Sequence, residues 1–322
     1  MSIRYLATLA AVALFPAAVA AQGAPTYQLQ WGGQGTANGQ FNDPVSVAVN
    51  GSGEVFVADT GNDRIQVFTA GGAYLRGWGS SGVGPGEFVG PNGVTADAAG
   101  NVYVVDTGND RVQVFDGSGA LLSQFGGPGT GPGQFDEPIS LAVDPFGNLY
   151  VVESANHRVQ KFLPNGTYVT QWGGFGTLNG KFDRPTGITT DLSGNVYVAD
   201  RANHRVQKFL GDGTYLTQWG SLGSGPGEFS GLVAVAADRT GNVYVADTDN
   251  DRMQVFSESG FFSVQWGTAG SGDGQFRLPS GVAFLGNAVF VVDSQNHRVQ
   301  KFAYLPVAAH AITWGRLKAE RR

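Results

Sequence analysis

The chain sorts into short apolar runs separated by polar, glycine-rich turns, and the stretch GVTADAAGNVYVVDTGNDRVQVFDGSGALLSQFG (Gly93 to Gly126) shows the pattern plainly. Its turns fall at Asp97 to Asn101, Asp106 to Asp110 and Asp116 to Gly119, which leaves four short strands. Within the second strand Val102 and Val104 fall on one face and Tyr103 and Val105 on the other, the two-residue period of extended backbone. β-Branched and aromatic residues fill the strands, and no stretch carries a sustained apolar stripe at helical spacing.

This unit repeats. An arginine recurs at Arg64, Arg111, Arg158, Arg205, Arg252 and Arg298, at intervals of 47, 47, 47, 47 and 46 residues. An acidic residue stands five positions ahead of each, as Asp59, Asp106, Glu153, Asp200, Asp247 and Asp293. Six four-stranded antiparallel units in this size range predict an all-β, six-bladed β-propeller. An open solenoid would need atypical terminal caps, whereas the first and fifth repeats here look alike.

A second marker, QWG or a variant of it, occurs seven times for six repeats, at Trp31, Trp78, Phe125, Trp172, Trp219, Trp266 and Trp314. One terminal strand is therefore surplus. TYQLQWGGQGTANGQF (Thr26 to Phe41) nearly copies TYVTQWGGFGTLNGKF (Thr167 to Phe182), whereas the C-terminal version, Ala303 to Gly315, has two extra residues and Pro306. Tyr27 to Trp31 is thus expected to be the outer strand of the sixth blade, beside Arg298 to Phe302. That arrangement joins the two chain ends and leaves no open circle of unpaired edges. Ala308 to Trp314 competes for the same edge, and RLKAERR reads as a frayed terminus. The expected organisation is a signal peptide over 1–21, a propeller over 22–302 and a C-terminal strand or tail over 303–322.

Composition adds a compartment. Ser2-Ile3-Arg4, the apolar run Tyr5 to Phe15 and the small residues Ala18-Val19-Ala20 have the form of a cleavable secretory signal, cut after Ala20 or Ala21. The apolar core is too short to serve as a membrane anchor, for which about 20 residues are needed. No later segment is long enough to span, so the product is expected to be secreted or periplasmic. The 322 residues include no cysteine, so no disulfide staples the fold, and stability must come from a closed apolar architecture. A net charge of −6 with no basic run across the body argues against a nucleic-acid partner.

The full repeat, P-x-G-V-x-x-D-x-x-G-N-V-Y-V-A-D-x-x-N-H-R-V-Q-K-F, best seen at NVYVADRANHRVQKF (Asn195 to Phe209), resembles the NHL repeat. The resemblance covers all six units and implies a six-bladed propeller. It also implies a functionally mixed family of RNA-binding and protein-binding domains, extracellular sensors and an amidating lyase. In that lyase the zinc histidines follow the proline that opens the innermost strand. Here Val45, Asn92, Ile139, Thr186 and Ser280 follow the prolines, and Val233 follows Leu232, so the metal ligands are missing. Lactonase-like propellers hold a divalent cation with carboxylate and asparagine groups at the axis, and Asn92 alone is of that type.

Repetition separates framework from function. A substrate lacks sixfold symmetry, so an Asp–Arg pair present in every blade reads as a fastener between the second and third strands. Asn62 suits the turn between them. Phe41, Phe88, Phe135, Phe182, Phe229 and Phe276 recur in step and read as filling between blades rather than as a sugar platform. His157, His204 and His297 share one position with Asp63, Asp110 and Asp251, which reads as a solvated turn rather than a zinc site.

What differs between blades lies around the inner-strand proline. Asp43, Asn92, Glu137, Arg184, Thr186 and Ser280 are therefore the candidate ligand-binding residues, at the mouth of the central channel. The glycine-rich connections, such as Trp78 to Phe88 and Trp219 to Phe229, are expected to rim the same face. The expected function is a non-enzymatic, monomeric binding or sensor module for a protein or peptide, with no cofactor and no metal. A metal-dependent lyase or hydrolase at the channel mouth is the alternative.

Overall fold

Both faces of each second strand are buried: Val102 and Val104 pack with Phe56, Ala58 and Phe88 of the preceding unit, and Tyr103 and Val105 with Leu141, Leu149 and Phe135 of the next. Sheets covered on both faces stack as wedges, and six such seams close a ring. The computed structural model describes residues 23–304, so the expected signal peptide, Ala308 to Trp314 and the basic tail lie outside the described residues.

The architecture is a six-bladed propeller of four-stranded antiparallel sheets. Blade 1 comprises Ser46–Val49, Glu54–Asp59, Arg64–Thr69 and Tyr74–Trp78. Blade 2 comprises Pro91–Ala96, Val102–Asp106, Arg111–Phe115 and Leu121–Gly126. Blade 3 runs Pro138–Val143, Leu149–Glu153, Arg158–Phe162 and Tyr168–Gly173, and blade 4 runs Pro185–Thr190, Val196–Asp200, Arg205–Phe209 and Tyr215–Trp219. Blade 5 is built from Ala234–Ala237, Asn242–Asp247, Arg252–Ser257 and Phe262–Trp266.

Blade 6 takes Pro279–Leu285, Ala288–Asp293 and Arg298–Ala303 from the C-terminal end and its outer strand, Thr26–Gly32, from the N-terminal end. The two ends pair antiparallel, with Tyr27 opposite Phe302 and Trp31 opposite Val299. Ala303, expected at the head of the tail, completes the third strand. Among the described residues no helix is long and apolar enough to cross a membrane.

The six repeating phenylalanines from Phe41 to Phe276 are fully buried in the seams. Each such ring contributes about 1.5–3 kcal/mol by leaving water. The outer-strand residues Trp31, Trp78, Trp172 and Trp219 cover the third-to-fourth-strand hairpin of the following blade. A Cβ on Gly72, at φ 82°, would lie 2.9 Å from the Trp31 ring, so glycine is required there both for its backbone and for its lack of a side chain.

Four second-strand tyrosines, Tyr103, Tyr150, Tyr197 and Tyr244, donate their hydroxyls to Asp97, Asp144, Asp191 and Asp238 at 3.1, 3.0, 3.0 and 3.3 Å. Burial first, and the carboxylate second, push the Tyr103 phenol up to about 12. Burial pushes the other three up further. An unfolded tyrosine releases its proton near pH 10. The folded state therefore holds protons that the unfolded chain gives up, and stability is expected to be level below pH 10 and to fall as pH rises from there through 12. Thermal midpoints measured between pH 8 and 12 check this, and a flat profile would show that the phenols titrate freely.

Candidate functional site

On the face that carries the long connections, each blade presents the same hub. The Asp59 carboxylate, fully buried, accepts from the Asn42 backbone N–H at 2.7 Å, Asn62 Nδ2 at 2.9 Å, Arg64 Nε at 2.6 Å and Gln66 Nε2 at 2.9 Å. Arg64 then donates to the carbonyls of Ala37 and Gln40 in the incoming loop, at 2.9 and 3.0 Å. Asp106–Arg111, Asp200–Arg205, Asp247–Arg252 and Asp293–Arg298 repeat the link at 2.7 Å, and Glu153–Arg158 repeats it at 2.6 Å. Each pair joins the end of a second strand to the start of a third across one short turn.

Sequence reading passed over the glutamine of the hub. Gln66, Gln113, Gln160, Gln207, Gln254 and Gln300 are all buried, and Gln66 satisfies both ends of its amide on the loop, accepting from Gly39 N–H and donating to the Gln40 carbonyl. The signal was present, since glutamine stands two residues after the arginine in all six repeats.

The turn position shared by aspartate and histidine corrects an expectation, because these residues are not merely solvated. They adopt left-handed backbone, with φ between 50° and 53°, and five of the six accept a hydrogen bond from the next blade. Asp63, Asp110 and Asp251 accept the backbone N–H of Gly90, Glu137 and Leu278 through Oδ1, at 2.8, 3.1 and 2.8 Å. His157 and His297 accept those of Arg184 and Asp43 through Nδ1, at 3.0 and 3.1 Å. Oδ1 and Nδ1 are each one bond from Cγ, so the two residue types are interchangeable as acceptors. At the seam between blades 4 and 5 the His204 Nδ1 is buried with no partner, opposite the blade whose proline is replaced by Leu232.

The six candidate ligand-binding residues divide into two sets. Asn92, Thr186 and Ser280 line the central channel, a cavity of about 400 Å³ walled by the inner strands. There they bond to the framework: Asn92 Nδ2 to Thr107 Oγ1 at 3.0 Å, Thr186 Oγ1 to the Leu232 carbonyl at 3.3 Å, and Ser280 Oγ to the Val45 carbonyl at 2.8 Å. Below them Val47, Val94, Leu141, Ile188, Val235 and Val282 form an aliphatic waist, and the ionisable lining residues, Asp238 and Arg239, belong to the far end.

Asp43, Glu137 and Arg184 are not part of that lining. Left-handed backbone at φ 45°, 48° and 49° keeps them outside it, and their side chains are exposed. The exposed rim is charged unevenly. Burial raises the Asp110 carboxyl, and the neighbouring charges of Asp136 and Glu137 add to the rise against a lowering bond from the Glu137 N–H. Seam 2/3 is thus acidic, while the next sector carries Arg184 and Arg201, both exposed. The same sector exposes Phe175 and Leu178, at 72% and 75%, with the Phe175 ring 5.1 Å from that of His157. Among the described residues no group of three or more His, Cys, Asp or Glu is placed to hold a metal ion.

The NHL repeat model matches six segments, 41–68, 88–115, 135–162, 182–209, 229–256 and 276–302. The chain belongs to the NHL-repeat family. Each NHL segment runs from the seam phenylalanine to the last residue of the third strand or one residue short of it, so the loop and outer strand are what the family model leaves free. Among curated proteins the chain is 50% identical over 48 residues to the B-box type zinc finger protein ncl-1 of Caenorhabditis elegans. It is 58% identical over 41 residues to the human E3 ubiquitin-protein ligase TRIM32. These matches cover 15% and 13% of this chain and 6% of each relative, so the chain spans only a small part of the proteins it matches.

Solved structures share the fold at low identity. A Bacteroides thetaiotaomicron protein of unknown function aligns at TM-score 0.64 and 18% identity, covering 85% of this chain and 76% of its own. A catalytically inactive virginiamycin B lyase of Staphylococcus aureus with quinupristin aligns at 0.56 and 12%, covering 84% and 82%. A gluconolactonase of Xanthomonas campestris aligns at 0.60 and 14%, covering 88% and 99%.

Proposed function

We propose that this NHL propeller is a non-enzymatic, extracytoplasmic binding or sensor module that recognises a protein or peptide on its loop-rich face, in the sector of blades 3 and 4. The observation that carries the reading is the division of labour on that face. The hub carboxylate and glutamine of every blade are buried and hydrogen-bonded, whereas Glu137, Arg184, Phe175 and Leu178 differ between blades and are exposed. Phe175 and Arg184 each reach His157, and exposed aromatic residues and arginine are enriched at protein interfaces. Export rests on the N-terminal signal pattern. The lyase or hydrolase alternative has in its favour a shared fold, and fold alone does not carry chemistry.

The test is affinity capture of a partner by the mature protein, compared with Arg184→Glu and with the Phe175→Ser, Leu178→Ser double variant. Loss of an interface anchor costs at least about 2 kcal/mol, or roughly thirtyfold in affinity. The variants are expected to lose the partner by that factor with unchanged thermal midpoints. Capture that survives both changes would remove this sector from the reading. Stoichiometric zinc or calcium lost on mutating Asn92 together with Glu137 would favour the enzyme.

A further inference from the structure

On the opposite face, three blades use a lysine in one stereotyped way. In blade 4 the Lys208 ammonium sits 5.0 Å over the Tyr197 ring, 3.9 Å from Asp191 Oδ2, and donates to the Glu258 carbonyl at 3.3 Å. In blade 3 Lys161 lies 5.2 Å over Tyr150 and donates to the Gly211 carbonyl at 2.9 Å, and in blade 6 Lys301 lies 5.6 Å over Phe290. In each case the cation has an aromatic face beneath it and an oxygen of the next blade beside it.

Blade 5 keeps the receptor and lacks the cation. Tyr244 and Asp238 stand where Tyr197 and Asp191 stand in blade 4, with the same hydroxyl-to-carboxylate bond, but Val255 replaces the lysine. A cavity of about 230 Å³ lies against Tyr244 and Asp238, walled also by Phe284, Asn287 and Tyr304. The Phe284 and Tyr304 rings lie 4.4 and 6.4 Å from the Tyr244 ring. Tyr304 is 8% exposed, and its hydroxyl faces that of Tyr244.

Chain topology explains why the space is open at this seam. In blades 3 and 4 the lysine is met by the third-to-fourth-strand hairpin of the following blade, at Gly211 and Glu258. Among the described residues blade 6 has no such hairpin, because its third strand ends at Ala303 and its fourth is Thr26–Gly32 from the other end of the chain. Blade 2 also has valine, Val114, at the lysine position, but the hairpin of blade 3 across that seam is intact, closed by the Gly166 N–H on the Leu163 carbonyl.

We propose that the seam between blades 5 and 6 is a binding site for an alkylammonium group, carried by a small amine or by a lysine side chain. Its cation lies over Tyr244 and faces Asp238, as Lys208 does with Tyr197 and Asp191. The Asp238 carboxylate already accepts from the N–H groups of Thr240 and Asn242 at 2.8 and 2.9 Å, which fixes its charge in place. A π face and a fixed carboxylate together select for a cation over a neutral group of the same size.

The experiment uses the full-length protein with ring-labelled tyrosine, followed by NMR at constant ionic strength during titration with n-butylammonium chloride and, separately, with 1-butanol. The Tyr244 and Tyr304 signals are expected to shift saturably with the cation while those of Tyr103, Tyr150 and Tyr197 stay still, and the alcohol is expected to bind at least fivefold more weakly. Val255→Lys, which returns the missing cation, is expected to raise the thermal midpoint and weaken butylammonium at least tenfold. Asp238→Asn is expected to weaken it severalfold. A capped Gly-Lys-Gly peptide that competes identifies a lysine side chain as an admissible source, and failure to compete restricts the site to small amines. Equal binding of the alcohol, the absence of a saturable shift, or unchanged binding in a folded Val255→Lys protein overturns the proposal. If Val255→Lys does not fold, the comparison of cation and alcohol on the parent protein decides.

Discussion

Asp200→Ala is expected to lower folding stability by about 3–5 kcal/mol, the usual cost of removing one partner from a buried, hydrogen-bonded ion pair. The carboxylate is fully buried and accepts from the Asp183 N–H, Asn203, Arg205 and Gln207. Deleting it strands all four donors together with a guanidinium that is itself buried. Arg205 also holds the Leu178 and Lys181 carbonyls, so the loop leading into blade 4 loosens with it. Urea unfolding followed by circular dichroism should show a lower midpoint at unchanged slope. Asp200→Glu should lose far less, because Glu153 fills the same hub in blade 3 with its Arg158 link at 2.6 Å. The exposed Arg184→Glu is the reference, expected within about 0.5 kcal/mol of the parent. A loss below about 1 kcal/mol for Asp200→Ala would place the hub among exposed surface pairs.

The hub, the blade count and the closing strand are legible in the sequence because each rests on spacing. A link between residues five apart across one turn leaves a fixed local pattern, and repetition supplies six independent readings of it. Contacts that span a seam leave no such pattern. The bond from His157 to the Arg184 N–H joins residues 27 apart, and the side chain that makes it looks like any turn residue. Exchange between histidine and aspartate reads as indifference to chemistry, whereas both types are kept for an acceptor one bond from Cγ.

The channel mouth is only half legible for a different reason. A residue before proline is ordinarily extended, and an extended Asp43, Glu137 or Arg184 lies in line with the inner strand. The left-handed backbone they adopt costs a non-glycine residue about 1–2 kcal/mol. It is compensated by the bond that each N–H makes to the preceding blade. The same geometry keeps their side chains out of the channel wall. Phe175 and Leu178 were passed over because a single aromatic and a single leucine in a glycine-rich loop have no periodicity to mark them. Their exposure is a property of the assembled face.

Deleting Thr26–Gly32 is expected to lower the thermal midpoint by at least 10 °C. The strand covers the outer edge of Arg298–Ala303 along its whole length. It also brings Trp31 against Phe68 and Phe290, at 5.8 and 6.1 Å, and Gln30 Oε1 to the Arg298 guanidinium at 2.5 Å. Trp31 is half-buried, so losing its ring costs about 1.5–3 kcal/mol, less than the loss of a fully buried one. At roughly 2–4 °C per kcal/mol, the scale for domains of 150–250 residues, the stated fall needs the ring and the ladder bonds of the strand together. The uncovered edge is a template for pairing with another chain, so the deletion should also self-associate. A synthetic peptide of the deleted strand should restore the midpoint saturably and suppress association, since what is missing is a strand rather than a covalent end. If the deletion melts where the parent does, the N-terminal strand is an ornament on a ring held shut by its seams, and the peptide would have nothing to restore.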